Sequence, residues 1–251
     1  MRLKGKTALI AGAGRNNGRA IALTFAKEGA DVIIVGRKRG DDLNQVAREC
    51  EVLGVKVLPV LADVGHHEEV NRVVRQGLER FGKVDVLVCA TGMRPHKPFW
   101  EFSYDEWHEV FGVNLHSTFY FAKALAPGMI ERKSGNIIAL GGKAALTSER
   151  DAALIVSSKH GLYGLIKSLA RDLGPYGIRA NLLALATIQS RRLNPEWYPH
   201  GLEANDPAIA KLGLGRSGTN QEVANVALFL ASDQSSYVTG DRILCMGGRY
   251  M

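Results

Sequence analysis

The sequence predicts an α/β fold: one doubly wound parallel sheet of about seven strands, with helices on both faces and residues 1–251 forming a single domain. Three observations point there. Short apolar runs of strand length alternate with longer segments of helical period along the whole chain. Several runs, such as Asp31-Val-Ile-Ile-Val35 and Asp85-Val-Leu-Val-Cys89, are apolar without interruption, as strands covered on both faces must be. No linker, internal repeat or low-complexity tract breaks the alternation.

Taken in order, the apolar run at 7–11 reads as a strand and the periodic segment 18–29 as a helix. The same pairing recurs with a strand at 31–35 and a helix at 41–53, then a strand at 55–61 and a helix at 66–81. A strand at 84–90 precedes one long helix over 104–132. Strands at 136–140, 178–185 and 242–246 follow, with helices at 151–173 and 221–232 between them. A repeated strand-helix unit implies parallel strands joined by right-handed crossovers. The least regular stretch, about 189–213, carries Pro195, Pro199 and Pro207 and reads as a substrate loop or lid.

Composition narrows the function. With 46% hydrophobic residues the chain can bury a large core. Its net charge of +7 and pI near 9.4 invite a nucleic-acid reading, but Lys and Arg are scattered. There is no recognition-helix signature and no aromatic-basic interleaving, so no nucleic-acid partner is expected. Cys50, Cys89 and Cys245 are widely spaced in apolar runs and read as reduced core residues of a cytoplasmic protein, with no metal site. The basic start, Met1-Arg2-Leu3-Lys4-Gly5-Lys6, runs into a glycine-rich turn too soon for a secretory signal. No run approaches the ~20 apolar residues of a membrane span.

The first expected strand leads into Ala11-Gly12-Ala13-Gly14-Arg15-Asn16-Asn17-Gly18, where a helix begins. Glycines at such a junction let the backbone approach a pyrophosphate, which rests on the helix N-terminus. Gly-x-Gly alone is also an ordinary tight turn, but here strand, helix and second strand follow in the required order. The second strand ends at Val35-Gly36-Arg37, where an NAD site usually places a carboxylate. Gly36 leaves space there, and Arg15 and Arg37 can converge on a 2′-phosphate, which the guanidinium fork grips well. A solvated loop accounts well for Arg39, less for Lys38, and poorly for Arg15 and Arg37 together. The pattern favours NADP(H) over NAD(H).

With these residues in hand, the chain resembles the short-chain dehydrogenase/reductase family from end to end, a Rossmann-type fold. Asp63-Val64 looks like the family's adenine-contacting pair, and Val113-Asn114-Leu115 resembles its catalytic asparagine motif. Gly213-Leu-Gly-Arg-Ser-Gly218, Tyr237-Val-Thr-Gly240 and Gly247-Gly248 are similar to its C-terminal signatures. The resemblance implies cofactor contacts from Gly12, Gly14, Arg15, Asn17, Gly18, Arg37, Asp63, Val64, Ala90, Gly92, Lys159, Ile188 and Ser190, with Lys159 and Asn114 as the catalytic residues.

The active-site motifs depart from the family. Cys89-Ala90-Thr91-Gly92 stands for Asn-Asn-Ala-Gly, Gly141-Gly142 for two serines of which the second is catalytic, and Leu185-Ala186 for Pro-Gly. Tyr-x-x-x-Lys becomes Ile155-Val156-Ser157-Ser158-Lys159. The family's tyrosine gives a proton to the nascent alkoxide, and its serine hydrogen-bonds the substrate oxygen; Ile155 and Gly142 do neither. A general acid is worth about 10²–10⁴-fold in rate, so the loss changes the chemistry or ends it. Tyr163-x-x-x-Lys167 is a decoy, because eight residues displace it roughly 12 Å along the helix. Tyr163 reads as a packing or subunit-interface residue, and His160, about 100° round the helix from Lys159, as structural.

The resemblance implies that Lys159 binds the nicotinamide ribose, and anchoring alone is its plainer role; it could itself be the acid if burial or a nearby cation lowered its pKa. Lys143, Arg94, His96 and Lys97, with Arg191 and Arg192, give the expected pocket mouth a positive cast that suits an anionic substrate. Trp197, Tyr198 and His200 are expected either to line it or to pack among themselves. Three functions stay open: an atypical oxidoreductase for a small carbonyl, imine or activated alkene substrate; a lyase or isomerase on the same scaffold; and a non-catalytic NADP(H)-binding partner subunit. The resemblance also implies a homotetramer or dimer. Ala152, Ala153, Gly161 and Gly164 would let helices approach closely, in one subunit or between two.

Overall fold

The computed structural model describes residues 1–37, 40–190 and 207–249. Lys38, Arg39, Arg191, Arg192, Trp197, Tyr198 and His200 lie outside the described residues.

The strands are β1 (Thr7–Ala11), β2 (Asp31–Gly36), β3 (Val57–Leu61), β4 (Val86–Cys89), β5 (Gly135–Leu140), β6 (Ile178–Leu185) and β7 (Arg242–Cys245). They form one parallel sheet in the order β3-β2-β1-β4-β5-β6-β7. The helices are α1 (Asn16–Lys27), α2 (Gly40–Glu51), α3 (His67–Phe81), α4 (Tyr104–Phe111), α5 (Ser117–Glu131), α6 (Ala153–Leu173), α7 (Pro207–Ala210) and α8 (Asn220–Ala231). All seven expected strands are present, and their ends fall within two residues of expectation.

Strand side chains alternate between two cores, which is why the strand sequences read as continuously apolar. In β1, Ala8 and Ile10 join Ile21 and Phe25 of α1, Leu43 of α2 and Leu228 of α8. Leu9 and Ala11 face the other way, onto Val70 and Val73 of α3, Phe121 and Leu125 of α5 and Ile166 of α6. Each fully buried large side chain stabilises the fold by about 1.5–3 kcal/mol. Both layers are needed to hold the sheet's C-terminal edge in place.

The single long helix expected over 104–132 is interrupted. A π-helical turn, Gly112–His116, separates α4 from α5. Apolar period does not betray such a turn, because it leaves the amphipathic pattern on either side intact. π turns recur at functional sites, and this one carries Asn114. Helix α4 starts at a capping box in which Ser103 Oγ accepts from Glu106 N at 3.1 Å and Glu106 Oε2 accepts from Ser103 N at 2.8 Å.

The order of the strands reverses between β1 and β4, and chains leaving those two strands diverge to opposite faces. That divergence opens a crevice at the carboxyl edge of the sheet.

Candidate active site

A cavity of about 960 Å³ occupies this crevice. Its walls come from the segments that follow six strands: the glycine loop after β1, Val35 to Arg37, Ala62 and Val64, Ala90 to Arg94, Leu140 to Ala144, and Leu185 to Ile188 with Ser190. Asn17 and Lys159 also line it, so residues scattered from Gly12 to Ser190 in sequence share one space.

At one end lies the glycine loop. Gly12 N and Ala13 N donate to Val35 O at 2.9 and 3.0 Å, tying the loop to the end of β2. Gly12 has φ +85°, a conformation side chains resist, and a Cβ there would sit 3.1 Å from the Ala90 carbonyl. A Cβ on Gly18 would lie 2.0 Å from Gly12 O, so α1 can begin this close to the loop only with glycine. Arg15 is the extended residue just before α1, whose N-terminus opens on the cavity. Asn17 Oδ1 is buried without a hydrogen-bond partner, in a wall that Gly12, Gly14 and Gly18 share with Arg15 and Asn16. A buried orphan acceptor and a glycine-rich cradle on a helix start fit the phosphates and ribose of a dinucleotide.

Beyond β2, the space beside Gly36 is bounded by Leu43, 3.5 Å from where a Cβ would stand. Arg37 Nη1 is 3.2 Å from Glu109 Oε1 and 3.6 Å from Asp63 Oδ2. These pairs are half-exposed and worth about 0–1 kcal/mol, so a phosphate can compete for the guanidinium. Asp63 Oδ1 accepts from Gly65 N at 3.0 Å, and it is Val64 and Ala62, not Asp63, that line the cavity. Three acidic wall residues escaped the sequence analysis: Glu149, which pairs with Lys143, and two on helices, Asp42 of α2 and Glu109 of α4. On an isolated helix either of these two looks like an ordinary solvated carboxylate.

At the other end stands Lys159, 4% exposed, donating from Nζ to Leu140 O at 2.9 Å. Burial, aided by the nearby Arg94 charge and opposed by Cys89, lowers its pKa from 10.5 to about 7. Gly92 lies opposite: a Cβ there would be 3.9 Å from Lys159 Nζ and 3.6 Å from Asn114 Oδ1. Asn114 itself is 1% exposed. Its Oδ1 accepts from Met93 N at 2.8 Å, and its Nδ2 donates to Met93 O at 3.1 Å and Ser158 Oγ at 3.0 Å. Its amide group clamps the loop after β4 from behind.

Gly142 and Ile155, the two positions at which the resemblance leads one to expect a serine and a tyrosine, present no hydroxyl to the cavity. Ile155, 5% exposed, packs with Ala144 and Ala152 and presents hydrocarbon to the cavity. A Cβ on Gly142 would stand 3.4 Å from Arg94 Nη2 and 3.6 Å from Leu185 O. Ile188 and Ser190 are held in the wall by exchange with Gly218: Gln189 N donates to Gly218 O at 2.8 Å, and Gly218 N to Thr187 O at 3.0 Å.

The basic candidates separate cleanly. Lys97 pairs with Glu106 at 2.7 Å and is not a lining residue, and Lys143 pairs with Glu149 at 2.7 Å. His96 lines the cavity, and its Nδ1 donates to Arg94 O at 3.0 Å. Tyr163 is away from the cavity, packed under the Arg242 guanidinium at 4.9 Å. His160 is exposed, with Nδ1 donating to Val156 O at 3.0 Å. The three cysteines are free, and burial pushes Cys50 and Cys89 up to about 11, far from thiolate chemistry. Among the described residues no group of His, Cys, Asp and Glu could hold a metal, and no helix is long and apolar enough to cross a membrane.

Known proteins share this architecture. A family model described as enoyl-(acyl carrier protein) reductase matches residues 12–249. The chain is 35% identical over 248 residues, 99% of each sequence, to a 3-oxoacyl-(acyl-carrier-protein) reductase FabG of Thermotoga maritima. A mutant Serratia marcescens short-chain dehydrogenase/reductase superposes with a TM-score of 0.92 at 31% identity, covering 100% of both chains. A blue fluorescent protein from a metagenomic library, solved with NADPH, superposes with a TM-score of 0.91 at 28% identity, again over 100% of both. Full-length similarity in sequence and in fold has one explanation: the chain belongs to the short-chain dehydrogenase/reductase family.

Proposed function

We propose that this chain is an atypical NADP(H)-dependent oxidoreductase that reduces a small carbonyl, imine or activated alkene, with Lys159 as the proton donor. The observation that carries the reading is the continuity of the cavity, which runs from the glycine cradle to the buried Lys159 ammonium. The reductase relative and the NADPH-bound neighbour support the same class.

The cofactor, when bound, supplies a hydride to an electrophilic carbon. Gly12, Gly14, Gly18, Asn17 and Arg15 would hold its phosphates, and Arg37 its 2′-phosphate after release from Glu109. Ala90, Gly92, Ile188 and Ser190 would border the nicotinamide. Lys159 holds a transferable proton at Nζ, and a pKa of about 7 makes it an effective acid near neutral pH. Ile155 and Ile188 keep water from the reacting end. Asn114 acts as a positioning residue through Met93.

Asp42 in the cavity wall favours the other cofactor, NAD(H), because a carboxylate there can accept from ribose hydroxyls. A fluorescence titration with NADPH and, separately, NADH decides. Micromolar binding of NADPH with much weaker NADH is expected. The reverse order would transfer the role to Asp42, and saturable binding of neither would end the oxidoreductase reading.

The proposal extends to a homo-oligomer. Gly161 is small because Leu115 packs 3.1 Å from its would-be Cβ, but Gly164 has nothing within 4 Å, which leaves room for a partner helix. Light scattering coupled to gel filtration should read two or four chains, and a monomer would remove this part.

A further inference from the structure

Arg94 has no ion pair among the described residues, whereas the neighbouring Lys143 and Lys97 are matched to Glu149 and Glu106. Its guanidinium lies partly buried in the cavity wall, with Nη2 only 3.4 Å from where a Cβ on Gly142 would be. It therefore stands where a serine side chain at position 142 would project. The backbone beneath it is fixed: Asn114 holds both Met93 N and Met93 O, and His96 donates to Arg94 O. A cation partly withdrawn from water on a pinned loop is costly unless a ligand satisfies it.

We propose that Arg94 is the substrate anchor of this site, and that its substrates are small carboxylates whose reducible carbon adjoins the carboxylate, such as 2-oxo acids. This rests on the oxidoreductase reading above and names the substrate class of the same cavity. A guanidinium meets a carboxylate with two parallel hydrogen bonds, a match that a lone ketone oxygen cannot make. The single charge of the Arg94 guanidinium suits one carboxylate. Arg94 adjoins Gly142 and, across the cavity, Lys159, so the carboxylate it grips must be next to the reacting carbon rather than at the end of a long chain.

The test is isothermal titration of the intact protein, saturated with NADP⁺, with 2-oxobutanoate and with its methyl ester. The acid should bind at least about 10-fold more tightly than the ester, and Arg94→Gln should weaken acid binding by about 10–100-fold while leaving the ester unchanged. Lys97→Met removes a charge of the same sign outside the cavity and should leave both affinities unaltered. Equal binding of acid and ester, no binding of either, or an acid preference that survives Arg94→Gln would each overturn the anchor. NADP⁺ binding measured in the same samples separates the two readings. If NADP⁺ binds without an acid preference, only this inference falls; if NADP⁺ does not bind, both do.

Discussion

Replacing Lys159 by Met should flatten the pH dependence of stability between pH 7 and 9. In the fold the Lys159 ammonium titrates near 7, and in the unfolded chain near its ordinary 10.5. Between those values the unfolded chain carries a proton that the fold does not, so stability rises with pH; below pH 7 the cost of burying the charge is fully present. The slope approaches about 1.4 kcal/mol per pH unit, and because titration is half complete at 7, the gain from pH 7 to 9 is roughly 2 kcal/mol. Met is unbranched, reaches a similar distance and does not titrate. It leaves Leu140 O without its donor, which costs about 1–3 kcal/mol at every pH alike. The slope, not the intercept, therefore carries the result.

Cys50 and Cys89 act in the opposite sense. Their folded thiols ionise near 11 rather than near 9.0, so above about pH 9 they subtract stability as the unfolded chain loses protons. The Cys50 loss is common to both proteins, and Cys89, which feels the Lys159 charge, contributes only at the top of the range, so the slope from pH 7 to 8.5 isolates Lys159. The assay is urea unfolding at half-unit steps from pH 6.5 to 9, without cofactor and at one protein concentration, since an oligomer's stability depends on it. Parallel curves for the two proteins would mean that Lys159 titrates normally and would refute its assignment as a neutral-pH acid. In the wild type, the same assignment predicts turnover that falls as pH rises through about 7.

Four further outcomes follow from the geometry. Gly18→Ala drives a methyl toward Gly12 O and should abolish NADPH binding in the fluorescence titration while lowering the unfolding midpoint. Gly141→Ser meets Leu182 at 2.9 Å and should cost about 1–3 kcal/mol, whereas Gly142→Ser meets only the movable tip of Arg94 and should be near neutral, as denaturant midpoints will show. Combining Gly142→Ser with Ile155→Tyr restores both hydroxyls and should create reduction of plain ketones, with no gain across a carbonyl panel counting against a preserved scaffold. Asn114→Ala removes three hydrogen bonds and should destabilise by about 2–4 kcal/mol, with a matching loss of acid-over-ester preference because the loop bearing Arg94 loosens.

The fold was legible because each strand must be apolar on both faces and each helix on one, and that requirement writes itself into composition at every second or fourth residue. The π turn at Gly112–His116 was not, since one extra residue in a turn alters facing without altering apolar content. Within the site, glycines betrayed the cradle because close backbone approach admits no other residue. The expectation of missing hydroxyls rests on register, since Ser157-Ser158-Lys159 is what makes Ile155 the stranger. What sequence could not sort was charge. Arg94, His96, Lys97 and Lys143 read alike until Glu106 and Glu149, nine and six residues downstream, are seen to fold back on two of them.

That sorting bears on whether the site has changed or merely lost its chemistry. Gly142 and Ile155 alone would leave a cofactor crevice with hydrocarbon where the hydroxyls belong. Here the space beside Gly142 is met by a guanidinium with no ion pair among the described residues, and the loop that presents it is held at three points, two of them by the buried Asn114. The remaining amine is withdrawn from water far enough to release its proton near neutral pH. A crevice serving only to bind cofactor needs neither an oriented cation nor a poised acid, and holding both costs stability. Their placement in the wall of one cavity is the physical argument for a reductase whose substrate brings its own negative charge.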